Sequence, residues 1–87
     1  MITTLLFTCD EEKSKESLVL VGVFSNREQR NSAIKHLLNE GQIVFNKGWE
    51  FNEKDTAYDL NNCYKYLRAY EIEGGNEFNN GMFLLDF

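Results

Sequence analysis

The chain has 87 residues, 14 Asp and Glu against 9 Lys and Arg for a net charge of −5, and is 43% hydrophobic and 26% charged. That balance is too apolar for a disordered chain and large enough for one core, so a single domain over 1–87 is expected. The acidity argues against non-specific nucleic-acid binding, which rests on Lys and Arg neutralising phosphates, and no apolar run reaches the ~18 residues of a membrane span.

In chain order, residues 2–9 mix Ile2, Leu5, Leu6 and Phe7 with three threonines, a β-branched and aromatic composition that predicts a strand. Residues 10–16 hold six charges in seven positions and read as a solvated loop. The run Leu18-Val-Leu-Val-Gly-Val-Phe24 is almost wholly apolar and reads as a central strand, with Gly22 marking a bulge or a close approach. Both of its faces are apolar, so a cover is expected on each; 78–87 or a second copy of the chain would supply the second.

Ser25 and Glu28 stand at capping-box spacing and open a helix of about 26–40, with Gly41 placed to end it in the left-handed conformation. Its apolar stripe is Ala33, Ile34, Leu37 and Leu38, and Arg30 falls on the same stripe, where its stem would cover the sheet and its head reach water. Gln42-Ile-Val-Phe45 and Trp49-Glu-Phe51, linked by Asn46-Lys47-Gly48, look like a hairpin. Residues 52–62 are polar, with Asp55 as a candidate N-cap for a short turn through Leu60.

The segment Cys63–Glu73 reads two ways. As a strand it places Tyr64, Tyr66, Arg68, Tyr70 and Ile72 on one face; as a helix it aligns Leu60, Cys63, Tyr64, Leu67 and Tyr70. Three tyrosines and an isoleucine favour the strand, and Gly74-Gly75 closes it. Met82-Phe-Leu-Leu-Asp-Phe87, after the turn signal Asn79-Asn80-Gly81, reads as a terminal strand. The expected fold is α+β: a single antiparallel sheet of about four to five strands with one main helix (about 26–40) packed on one face.

Leu20-Val-Gly-Val-Phe-Ser-Asn-Arg-Glu28, with its helix and the later Tyr70-Glu-Ile-Glu-Gly74, is similar to a group of small bacterial and phage proteins of unknown function. In these, a strand ending in Gly-Val-Phe/Tyr-Ser leads into a Glu-capped helix, and a later strand carries Tyr-Glu-Leu/Ile. The resemblance covers about half the chain and implies a fold; it carries no activity. Arg30 stands where such helices have Ala.

No catalytic constellation is expected. His36 is the one imidazole and has no nucleophile at a recognisable spacing, and the carboxylates Asp10, Glu11, Glu12 and Glu16 lie in a charged run where nothing raises a pKa. Cys9, Cys63 and His36 fall short of a four-ligand zinc site, and the glycines form no phosphate loop, so neither metal nor cofactor is expected. The start has no basic region before its apolar stretch, which points to a cytoplasmic protein with reduced cysteines.

The aromatic residues, 7 Phe, 4 Tyr and 1 Trp, are the main functional signal. The expected reading is a non-catalytic acidic interaction module of immunity or inhibitor type. It would bind another protein through Tyr64, Tyr66, Arg68, Tyr70 and Trp49 on an aromatic sheet face, or form a homodimer. The alternative is a single-stranded nucleic-acid or nucleotide binder that stacks bases on the same tyrosines.

Overall fold

The structure is a computed structural model, which describes residues 2–73. Three strands, β1 (Ile2–Thr8), β2 (Val19–Phe24) and β5 (Leu67–Glu73), form an antiparallel sheet in the order β2-β1-β5. Two helices, α1 (Arg27–Asn39) and α2 (Ala57–Cys63), accompany it, and two short strands, β3 (Val44–Phe45) and β4 (Tyr64–Lys65), pair separately as an antiparallel ribbon. The chain is thus α+β as expected, with a three-stranded sheet and a two-stranded ribbon in place of one sheet of four to five strands. The expected strand at 82–87 lies outside the described residues.

The central strand is β1, not the apolar run 18–24. Leu6 lies between Gly22 of β2 and Ala69 of β5, two small residues that leave room above the sheet. Ile34 and Leu37 of α1 and Leu60 and Cys63 of α2 fill that room with Leu6, Ile43, Tyr64 and Leu67 as one buried cluster. Thr3, Leu5 and Phe7, which alternate onto the other face, are buried as well.

The N-cap of α1 is Asn26, whose Oδ1 accepts from the Gln29 amide at 2.8 Å, so the cap lies one residue after the expected Ser25. Asn and Ser compete for this role on nearly equal terms. The C-terminus follows expectation. Gly41, at φ +72°, lets its amide reach the Leu38 carbonyl and the Gln42 amide reach that of Leu37, a Schellman pair. The helix α2 begins at Thr56 rather than Asp55, with a reciprocal capping box to Asp59.

The expected strand 63–73 is broken at Tyr66, which takes φ +71°. This left-handed residue turns the chain from the ribbon into the sheet: Tyr64 pairs with Phe45, while Leu67 pairs with Thr8. The hairpin expected between 42–45 and 49–51 is replaced likewise. A turn at Asn46 does form, the Trp49 amide donating to the Asn46 carbonyl at 3.1 Å, but the strand partner of Val44–Phe45 is Tyr64–Lys65. Among the described residues no helix is long and apolar enough to cross a membrane.

Candidate functional site

The five residues expected on one aromatic face are distributed over three surroundings. Tyr64 is fully buried, its ring 4.9 Å from that of Phe45. Among the described residues its hydroxyl has no hydrogen-bond partner, and burial, with the Asp55 charge nearby, pushes its pKa up to about 12. Tyr66 is half-buried against the core cluster. Arg68 and Tyr70 sit on the sheet face opposite Leu6, the guanidinium 4.7 Å from the Tyr70 ring, which meets Phe7 edge-on at 5.8 Å. Trp49 is exposed on the turn after β3. The positive φ at Tyr66 therefore dissolves the common face that strict alternation would have produced.

Arg30 also departs from expectation. Its guanidinium does not reach water: the residue is fully buried, its Nε and Nη2 both donating to Asn31 Oδ1 at 3.1 and 2.8 Å. Asn31 in turn donates to the Glu53 carbonyl at 2.9 Å, which ties the 51–55 loop to α1. Asp55, buried in the same region, has no partner for Oδ2 among the described residues, and burial first, then the Asp59 charge, raises its pKa. Burial likewise lowers the Arg30 pKa. This is a buried polar cluster with unmade hydrogen bonds, a costly arrangement in a core of this size.

Outside the core, a groove of about 570 Å³ runs between α1 and the following loop. Arg27, Lys35 and Lys54 alternate there with Glu28 and Glu53, so it carries no single-sign field. His36 lies on the exposed side of α1, 3.9 Å from Glu40. Cys9 and Cys63 are free, and burial raises the pKa of both thiols. Among the described residues no group of three or more His, Cys, Asp or Glu is placed to hold a metal ion.

Sequence reasoning read 18–24 as a strand with apolar faces to be covered but placed it at the centre of the sheet, whereas β2 lies at the edge of the described three-stranded sheet. Val19, Leu20, Val21 and Val23 are 64%, 53%, 38% and 45% exposed, and they make up most of the large exposed hydrophobics among the described residues. Apolar residues on both faces of the run signalled burial on both faces. The same pattern also describes an edge strand that waits for a partner, and only its place in the sheet separates the two.

Comparison with protein-family models, curated proteins and solved structures finds no match to this chain. Function therefore rests on the geometry alone.

Proposed function

We propose that this chain is a non-catalytic protein-interaction module whose contact surface is β2. The observation that carries it is the exposure of four of the six residues of β2, Val19, Leu20 and Val21 before Gly22 and Val23 after it. Single exposed apolar residues are ordinary, whereas four on one short strand at the edge of the described sheet mark an interaction site. Fully burying a Val or Leu side chain is worth ~1.5–3 kcal/mol, so covering even part of this strip supplies a driving force for association. The strand geometry adds direction, because an extended partner can lie alongside it.

The aromatic set contributes less than its composition promised, since Tyr64 is buried and Tyr66 lies against the core. For the same reason the base-stacking reading is not carried forward.

The test is selection of random displayed peptides on the wild-type chain, with Leu20→Asp as the counter-target. Leu20 is exposed, so the variant should keep the fold, which circular dichroism checks. Enrichment of apolar extended peptides that bind wild type and not Leu20→Asp is the expected result. Peptides that bind both equally would overturn the assignment, as would no enrichment together with no Leu20-dependent self-association.

A further inference from the structure

We infer that the occupant of the β2 strip is a second copy of this chain, with the two β2 strands meeting antiparallel about a twofold axis. This rests on the reading of β2 as the contact surface and names its partner.

The first reason is charge. Residues 17–26, Ser-Leu-Val-Leu-Val-Gly-Val-Phe-Ser-Asn, form the longest stretch of the sequence without a charged residue, in a chain of net charge −5. Two acidic copies repel at long range, and a twofold contact sets a patch against itself, so any charge within it meets its own sign. Like charges directly opposite on paired strands are destabilising. The strand and both its flanks avoid that conflict, and an apolar strip is its own complement.

The second reason is the asymmetry of the sheet edges. At β5 the Ala69 amide and carbonyl are taken by the Asn61 side chain of α2, at 2.7 and 2.9 Å. A helix residue thus occupies that edge. On β2 no Lys, no Pro and, among the described residues, no covering helix plays that part, although these are the usual guards of an exposed edge. One guard is present: the pairing skips from Leu6–Gly22 to Phe7–Leu20 and leaves Val21 as a bulge. A bulge interrupts a long backbone ladder while leaving side chains outward. Contact through side chains and a short ladder suits a closed pair, since a twofold contact consumes the strip on both copies.

A six-residue strip is smaller than the ~800 Å² that each partner buries in a standard interface, so the dimer is weak and concentration-dependent. Sedimentation equilibrium of the full chain from about 5 to about 500 μM spans the range in which such an association dissociates. Repeating it at about 0.05 and 0.5 M salt varies the screening of charge.

The expected result is a rise from monomer to dimer mass, with association at least as strong at the higher salt because screening relieves the repulsion. Leu20→Asp should weaken it by tenfold or more, as should Leu20→Lys, and an equimolar mixture of the two variants should recover dimer as a heterodimer. A wild-type chain that stays monomeric throughout, or a dimer unchanged in Leu20→Asp, would overturn the inference. If that monomer still captures peptides in a Leu20-dependent way, the second copy is wrong and the contact surface stands. If neither association nor capture is seen, both fall.

Discussion

Strands β1 and β2 lie side by side and differ in the direction opposite to their composition. β1 carries three threonines among its seven residues and is buried from Thr3 to Phe7, while β2 reads Val-Leu-Val-Gly-Val-Phe and exposes four of its six. Hydrophobicity alone would have ranked them the other way. The middle strand of the described sheet has a hydrogen-bonded neighbour on each side and the helices over its Leu6 face, and a threonine there still satisfies its backbone in the ladder. A valine at the edge stays in water until something arrives. Position in the sheet, more than residue type, decides burial in a chain this short, and the misplaced apolar surface is where function is to be sought.

The sharpest way to break this contrast is to truncate the middle of β1. Leu6→Ala removes a fully buried side chain between Gly22 and Ala69 and should cost ~2–5 kcal/mol. Against a total of roughly 4–13 kcal/mol for a chain of this length, that is a large fraction of the stability, read as a marked fall in the urea midpoint. A smaller effect of opposite sign is expected at Tyr64, whose buried hydroxyl lacks a partner. Tyr64→Phe should stabilise by about 1 kcal/mol, and a loss of stability would reveal a hydrogen bond at that hydroxyl.

Asp55 gives a pH signature from the same buried region. Its pKa is raised in the fold, chiefly by burial, so the folded state holds the proton more tightly than the unfolded one. Stability is then favoured by the neutral acid and falls as pH rises from about 4, the unfolded carboxylate value, through the raised folded value. Asp55→Asn should flatten that decline and be the more stable form at neutral pH, measured as urea midpoints between about pH 3 and 8. A steeper decline in the variant would contradict the assignment.

The edge strand should respond more mildly. A Cβ at Gly22 would come within 2.8 Å of Phe24 Cζ, so Gly22→Ala must displace that half-buried ring. The expected cost is about 1 kcal/mol, the low end for overpacking, because the ring can tilt. Smallest of all is Leu20→Asp, which should change monomer stability by no more than about 0.5 kcal/mol, as for other exposed positions. A thermal melt at micromolar concentration checks this, and a large loss would mean that β2 is packed within the monomer after all.

Part of this architecture was legible in the residues. The strand 2–9, the helix near 26–40 and its Gly41 terminus are local features, set by side-chain period and by a glycine's freedom at positive φ, and they stand within a residue or two of the observed bounds. The candidate site was less legible. An alternation of tyrosines assumes one continuous strand, and the left-handed Tyr66 is a conformation that its sequence neighbourhood does not announce. The apolar run of β2 and its need for a cover were visible, but its place at the edge of the described sheet rather than the centre was not.

The sequence by itself determined the class of fold, the amphipathic helix, the acidic charge and the uncharged window 17–26, because each depends on residues close in the chain. Only the tertiary structure decided which strand is central among those described, that Arg30 is buried, that Tyr64 enters the core and that Val19, Leu20, Val21 and Val23 are exposed. These depend on which distant segments pack together, as Leu6 does with Ala69 and Asn31 with Glu53. Pairing of that kind is settled by the competition of the whole chain for one small core.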